Sequence, residues 1–160
     1  MYSFSIPTDD PEAFYAELAE AADALTAGEP DTIANMANVS ALIWQAMPRL
    51  NWAGFYRMID GELVLGPFQG KAACIRIAIG KGVCGTAAAD ATTQLVDDVH
   101  AFPGHIACDA DSRSELVVPI MCDGAVIAVL DLDSPEPGRF APADARGIEQ
   151  VVARIAARLA

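Results

Sequence analysis

The fold of this chain is decided by the stretch Leu116-Val-Val-Pro-Ile-Met-Cys-Asp123-Gly124-Ala-Val-Ile-Ala-Val-Leu130-Asp131-Leu-Asp133. Residues 116–121 have strand composition, and Asp123-Gly124 is a strong hairpin signal. Residues 125–130 are almost wholly apolar, which is typical of a central strand covered on both faces. The stretch therefore predicts a hairpin whose second strand lies inside a sheet.

Two aspartates, Asp131 and Asp133, end the apolar strand and point to one side of it, because strand side chains alternate. Hairpin pairing returns this strand end towards Glu115, at the start of the preceding strand. We expect three acids at one pocket mouth, where crowding keeps at least one carboxyl protonated near neutral pH. The alternative, solvated charges at strand ends, is about as common in an acidic protein.

The loop before this hairpin, residues 102–115, resembles an active-site loop. Pro103 and Gly104 shape a turn, and His105 lies three residues from Cys108, which gives a thiol a proton acceptor or cationic neighbour along the chain. Three residues of loop fix no geometry, so His105 is left out of the catalytic set. Taken alone, the loop is better interpreted as a surface turn in which Cys108 is a small buried hydrophobe, and the rest of the sequence changes that interpretation.

Helical periodicity flanks the strands at both ends of the chain. Thr8 or Asp9 is expected to cap a first helix that ends at Gly28, and a second helix is expected from about Pro30 to Pro48. The predicted buried face of the second helix comprises Ile33, Met36, Ala37, Ser40, Ile43, Trp44 and Met47. Residues 143–159 predict a closing amphipathic helix.

The strands between these helices are shorter and carry two further cysteines. Residues 51–59 and 63–65 predict a hairpin around Asp60-Gly61, and residues 94–99 predict a short strand. Residues 73–79 alternate with period two, so Cys74 is expected to begin a strand in which Ile75, Ile77 and Ile79 share a face. The order of elements predicts an α+β fold.

A glycine-rich turn, residues 80–82, precedes Cys84. It predicts a short helix with Cys84 in its first turn, whose N–H groups can hold an anion such as a carboxylate. Close helix packing explains the same small residues equally well.

Composition excludes several classes of function. A chain of 160 residues with 53% hydrophobic residues predicts one folded domain. The net charge of -12 argues against nucleic acid and anionic membranes as partners, and no apolar run approaches a membrane span. We therefore expect a soluble cytoplasmic protein, where four cysteines are more often free, catalytic or metal-binding than structural disulfides.

Several motifs together resemble the free methionine-(R)-sulfoxide reductases, a family built on the GAF domain. They include Asn51-Trp-Ala-Gly-Phe-Tyr56, Gly80-Lys-Gly-Val-Cys-Gly-Thr-Ala87, Pro103-Gly-His-Ile-Ala-Cys-Asp109, Ser112-Arg-Ser-Glu-Leu-Val-Val-Pro-Ile120 and Leu130-Asp-Leu-Asp-Ser134. The likeness covers nearly the whole chain and is weakest before Asn51 and in the last helix. It implies a single GAF-like domain over residues 1–160, with the N- and C-terminal helices on one face of a mostly antiparallel sheet.

The resemblance also implies roles for individual residues. Cys108 is similar to the family's nucleophile, Cys74 to its principal resolving cysteine, and Cys84 to a third cysteine in or beside the substrate pocket. The implied substrate-binding residues are Trp52 at the methyl end and the acids Glu115, Asp131 and Asp133.

The implied reaction needs no bound cofactor. Free methionine-(R)-sulfoxide is reduced through a sulfenic acid on Cys108, which condenses with a second thiol to a disulfide. A thioredoxin-type reductant then opens that disulfide by exchange.

Two other interpretations compete with the reductase. A non-catalytic GAF sensor of a small ligand fits the fold but gives no reason for three motif cysteines. A zinc site built from the cysteines and His105 lacks the usual close Cys-x₂₋₄-Cys pair. Cys122 is interpreted as an ordinary buried thiol, and the sequence leaves a monomer and a homodimer both open.

Overall fold

A computed structural model of the chain describes residues 10–104 and 110–160. Its helices are α1 (Pro11–Thr26), α2 (Thr32–Ala46), α3 (Gly82–Asp90) and α4 (Pro142–Ile155). Its strands are β1 (Trp52–Ile59), β2 (Glu62–Gly70), β3 (Arg76–Ala78), β4 (Gln94–Val96), β5 (Ser114–Cys122) and β6 (Ala125–Ser134). Short 3-10 turns occupy Val99–Ala101 and Ala156–Arg158.

The strands form one sheet in the order β3-β2-β1-β6-β5-β4, and every paired neighbour is antiparallel. The predicted hairpin is present, and β6 lies between β5 and β1 as an inner strand. Asp123 and Gly124 both take positive φ angles, 49° and 79°, as a two-residue hairpin turn requires. The α+β class and the antiparallel sheet are therefore confirmed.

Two hydrophobic clusters lie on opposite faces of this sheet. One joins α1, α2 and α4 to inward residues of β1, β5 and β6, such as Phe55, Leu116 and Leu130. The other joins α3 to residues of opposite parity, including Trp52 and Val117. The N- and C-terminal helices thus share one face, as predicted, and leave the second face to α3. We call this second face the α3 face.

The predicted strand over residues 63–65 is too short, because β2 extends from Glu62 through Gly66 and Pro67 to Gly70. The register shifts opposite β1, where Gly54 pairs with Phe68 and Tyr56 with Leu65. A bulge therefore accommodates the proline, which has no N–H to donate to a regular ladder.

The predicted strand over residues 73–79 is reduced to Arg76–Ala78. Only Ile77 of its three isoleucines is buried, whereas Ile75 is 72% exposed and Ile79 is also exposed. As an edge strand, β3 pairs with residues 62–64 of β2, and one backbone hydrogen bond, from Leu65 N to Ile75 O at 2.9 Å, lies just before it. Cys74 consequently lies in a loop before the strand rather than at its start.

The buried face of α2 is rotated from the predicted one. Met36, Ser40, Ile43 and Met47 are buried as expected, but Ile33, Ala37 and Trp44 are exposed. The difference arises because helical periodicity assigns polar side chains to the exposed face, whereas one of them is buried here. Asn35 is buried because its Nδ2 donates to Glu29 O at 3.0 Å and to Arg158 O at 3.1 Å.

The terminal helices agree with their predicted positions. Helix α1 is capped by Asp10, which accepts from the Glu12 N–H, while Thr8 and Asp9 lie outside the described residues. Helix α4 buries Ile148, Val151, Val152 and Ile155, and it ends earlier than predicted, so that the buried Leu159 follows the 3-10 turn. None of the helices within residues 10–104 and 110–160 is long and apolar enough to cross a bilayer.

Close packing of α1 against α4 predicts that Gly147→Ala destabilises the protein. A Cβ at Gly147 would lie 2.0 Å from Cγ of Tyr15, so the substitution overpacks the interface by about 1–3 kcal/mol. Alanine is otherwise the better helix former, which makes the expected sign opposite to propensity. Urea unfolding measures the loss, and Arg146→Ala at the neighbouring exposed position should change stability by less than about 0.5 kcal/mol. A stabilised Gly147→Ala protein would contradict the packing.

Candidate functional site

The α3 face of the sheet gathers three acids predicted from the sequence. Asp133 of β6 pairs with Glu115 on one side and with Trp52 of β1 on the other. Asp131 pairs with Gly54 and Val117 and has the same parity along β6. The structure therefore brings Trp52, Glu115, Asp131 and Asp133 onto one face, across three adjacent strands.

Cys84 joins this cluster from the first turn of α3, where the glycine-rich turn places it. Its Sγ lies 3.8 Å from Oε1 of Glu115, and one ligand atom from each of Cys84, Glu115 and Asp131 falls within 4.8 Å of the others. All three side chains are buried, with Glu115 and Asp131 each only 6% exposed. A thiol and two carboxyl groups thus share a dry site.

Burial controls the protonation of this cluster. Loss of solvation raises the pKa of Asp131 to about 7, although hydrogen bonds from Cys84 and Glu115 oppose the rise. Burial, followed by the negative charges of Asp131 and Asp133, raises the pKa of Glu115 well above its usual range. Burial therefore favours the protonated form of Glu115, which is the form that can donate a proton to a neighbouring group.

Burial also raises the pKa of the Cys84 thiol, and the neighbouring Asp131 and Glu115 raise it further. A thiol in this environment stays protonated at neutral pH and is a weak nucleophile. By contrast, Oδ1 of Asp131 is buried and accepts no hydrogen bond from any described residue. A hydrogen-bond donor on a bound ligand would satisfy this acceptor.

An aromatic wall, which we define as Trp52, Tyr56 and Phe68, closes one side of the cluster. The Trp52 ring stacks on Phe68 with centroids 5.2 Å apart and on Tyr56 with centroids 5.8 Å apart. Trp52 is only 2% exposed. The wall offers an apolar surface beside the acids.

Sequence reasoning identified only Trp52 of this wall. Tyr56 shares the parity of Trp52 in β1, which was an available signal. Phe68 carried none, because its strand was expected to end before Gly66.

The loop that contains Cys74, residues 71–75, lies against the wall. Trp52 Nε1 donates to Lys71 O at 3.1 Å, and Tyr56 Oη donates to Cys74 O at 3.0 Å. Cys74 is disulfide-bonded, whereas Cys84 and Cys122 carry free thiols. Cys122 is half-buried at the end of β5, so its predicted full burial is only partly met.

The predicted nucleophile Cys108 and its neighbour His105 lie outside the described residues. The segment that follows them is held near the Cys74 loop. Lys71 forms an ion pair with Asp111, and Asn51 Nδ2 donates to Ser112 Oγ at 2.9 Å.

Metal binding by the described residues would have to use Cys84, Glu115 and Asp131. This set differs from the zinc alternative considered from sequence, which used all the motif cysteines. Because burial holds protons on these groups, a cation would first have to displace them. The site is therefore better suited to a ligand that accepts a proton than to a cation that must replace one.

Comparisons with known proteins show which family and which proteins this chain is similar to. The GAF domain family model matches residues 13–159. Free methionine-R-sulfoxide reductase of Escherichia coli is 52% identical over 142 residues, covering 89% of this chain and 86% of that protein.

Solved structures share the fold. The free methionine-R-sulfoxide reductase of Neisseria meningitidis, in complex with its substrate, is 41% identical with a TM-score of 0.94, over 99% of this chain and 96% of that one. A putative GAF sensor protein from Burkholderia vietnamiensis is 54% identical with a TM-score of 0.90, over 94% and 98%.

The raised pKa of Asp131 predicts that this residue lowers stability at neutral pH. An unfolded chain releases the proton near pH 4, whereas the folded protein holds it to about pH 7, so the free energy of unfolding falls as pH rises between these values. Asp131→Asn should leave stability nearly unchanged at pH 4 and raise it by about 1–4 kcal/mol at pH 8.

Urea unfolding from pH 4 to pH 8 measures this difference. Glu17→Gln on the exposed side of α1 is the matched control and should follow the parent at every pH. A difference between Asp131→Asn and the parent that does not grow with pH would show that Asp131 is not held protonated.

Proposed function

We propose that this chain, which belongs to the free methionine-(R)-sulfoxide reductase family of GAF-domain proteins, reduces free methionine-(R)-sulfoxide to methionine. The observation that carries the proposal is the buried Glu115 carboxyl group, whose pKa is raised by burial, beside an apolar aromatic wall. A methyl sulfoxide needs both, because its methyl group is apolar and its oxygen must receive a proton before it can leave. A sensor that only binds a ligand has no need for the proton.

Substrate recognition follows from the charges on the α3 face. The ammonium group of a free amino acid supplies donors for the buried Oδ1 of Asp131 and for Asp133. Its carboxylate suits the start of α3, where the side chain of the N-cap residue Lys81 makes no capping hydrogen bond. The methyl end then faces Trp52.

The chemistry begins at Cys108. Its thiolate attacks the sulfoxide sulfur while Glu115 protonates the oxygen, which converts the sulfoxide to methionine and Cys108 to a sulfenic acid. A proton returns to Glu115 from solvent before the next turnover. We assign the nucleophile to Cys108 rather than to Cys84, because the raised pKa of Cys84 leaves little thiolate.

Cys74 is the proposed resolving cysteine. Its thiol condenses with the sulfenic acid of Cys108, which forms the disulfide and releases water. The ion pair between Lys71 and Asp111 supports this pairing, because each of these residues stands three positions from one of the two cysteines in sequence. A dithiol of the thioredoxin type then reduces the disulfide and is itself oxidised.

We propose that the reaction proceeds without a bound cofactor, in the cytoplasm, and that residues 1–160 act as one GAF-like unit. Cys84 lines the pocket and is the alternative resolving thiol.

Peptide mapping should locate the turnover disulfide. One equivalent of methionine sulfoxide, added to reduced protein without reductant, is expected to release one methionine and to leave a Cys74–Cys108 link. Cys122→Ser, at the free cysteine distant from the acids, should behave like the parent. A Cys84–Cys108 link would transfer the resolving role to Cys84, and a protein that stays reduced without releasing methionine would refute the reductase.

Selectivity for the free amino acid should follow from the buried acids. A capped substrate, N-acetyl-methionine-R-sulfoxide amide, lacks both charges and leaves Asp131 without its donor, which costs several kcal/mol. We expect it to lose at least about 100-fold in kcat/KM against free R-sulfoxide in a thioredoxin-coupled assay. The free S-sulfoxide should also be poor, because it cannot place methyl, oxygen and sulfur correctly at once. Equal rates for capped and free R-sulfoxide would reject this pocket.

A further inference from the structure

We propose that Tyr56 is a positioning residue for the resolving step, whose hydroxyl holds the Cys74 loop in place. The inference rests on the proposed function for its chemistry, but the anchoring itself is a separate structural claim. It concerns a residue that sequence reasoning passed over as an ordinary strand aromatic.

The loop over residues 71–75 has little regular structure of its own, and side chains of β1 hold it at two points. Trp52 Nε1 donates to Lys71 O at its start, and Tyr56 Oη donates at 3.0 Å to the carbonyl of Cys74 itself. Gly70 allows this approach, because a Cβ there would lie 2.9 Å from Cδ1 of Trp52 and 2.6 Å from Asn51 O. The resolving cysteine is therefore fixed through its backbone.

Tyr56 is itself rigid. Its side chain is 1% exposed, its ring stacks on Trp52, and its backbone pairs with Val129 of β6 and Leu65 of β2. A hydroxyl carried by such a residue loses almost no rotamer freedom when it donates. The bond to Cys74 therefore transmits the position of the central sheet to the loop.

The same hydrogen bond assigns Tyr56 a role other than proton donation. A phenol has one hydrogen, and this one is directed to a carbonyl oxygen, so it is not available to the sulfoxide. Burial and the nearby charge of Asp131 raise the pKa of Tyr56, which keeps it a neutral donor throughout the working pH range. Glu115 remains the acid, and Tyr56 acts through Cys74.

Positioning matters most after methionine has formed. The Cys74 thiol must then meet the sulfenic sulfur of Cys108 to form the S–S bond and expel water, and a loop held in advance saves the entropy of bringing them together. Removing the hydroxyl should slow this step more than it slows the attack on the sulfoxide.

The test is Tyr56→Phe, which keeps the aromatic wall and deletes one hydroxyl. In rapid-quench single turnover, the rate of disulfide formation relative to that of methionine release should fall roughly 3- to 10-fold, the range expected for one lost hydrogen bond. Dimedone labelling of the sulfenic acid should rise in proportion.

Tyr15→Phe is the matched control. Tyr15 is also buried, and its hydroxyl donates to Asp144 Oδ1 at 2.5 Å on the opposite face of the sheet. It should lower stability to a similar extent and leave both rates unchanged. An unchanged ratio of disulfide formation to methionine release in Tyr56→Phe, or an equal fall of that ratio in Tyr15→Phe, would overturn the proposal.

Hydrogen exchange of the peptide over residues 71–75 tests the anchoring of the loop by Tyr56 separately from the proposed reductase activity. Faster exchange in Tyr56→Phe alone supports the anchoring even if the parent releases no methionine, in which case the proposed function fails and the role in resolution fails with it. Unchanged exchange in Tyr56→Phe refutes the anchoring whatever the activity.

Discussion

The register of β6 between β5 and β1 is the constraint on which the rest of this structure depends. Side chains alternate along each strand, so one register sends Leu130 and Leu132 to the helices and Asp131 and Asp133 to the α3 face. A slip of one residue would turn the aspartates towards the helices and the leucines towards the α3 face. The apolar core on one face therefore fixes the acids on the other.

In this arrangement the groups that serve the chemistry lower the stability of the fold. Burying Glu115 and Asp131 beside the Cys84 thiol costs folding free energy, because each charged form loses its hydration. The large cluster formed with α1, α2 and α4 offsets that cost from the opposite face. Packing on the opposite face, away from the site, thus compensates for the folding free energy that the raised carboxyl pKa costs, as is common for functional acids.

The aromatic wall connects the rigid and irregular parts of the site. Its rings stack on one another, while the polar atoms of Trp52 and Tyr56 reach the carbonyls of Lys71 and Cys74. Apolar contact and loop anchoring are therefore supplied by the same two side chains. Because two side chains hold the loop, Cys74 is well placed although the edge strand that follows it has only three residues.

The sequence by itself determined what depends on local periodicity and turn chemistry. The Asp123-Gly124 turn, the inner strand and the common parity of Asp131 and Asp133 follow from residues close together in the chain, and hairpin pairing adds Glu115. Only the tertiary structure decided which distant elements meet. Cys84 reaches Glu115 because α3 packs on that face, Phe68 joins the wall through a bulge, and α2 turns its Trp44 outward because Asn35 finds buried partners. Such contacts depend on packing between elements far apart in sequence, which neither period-two nor helical spacing records.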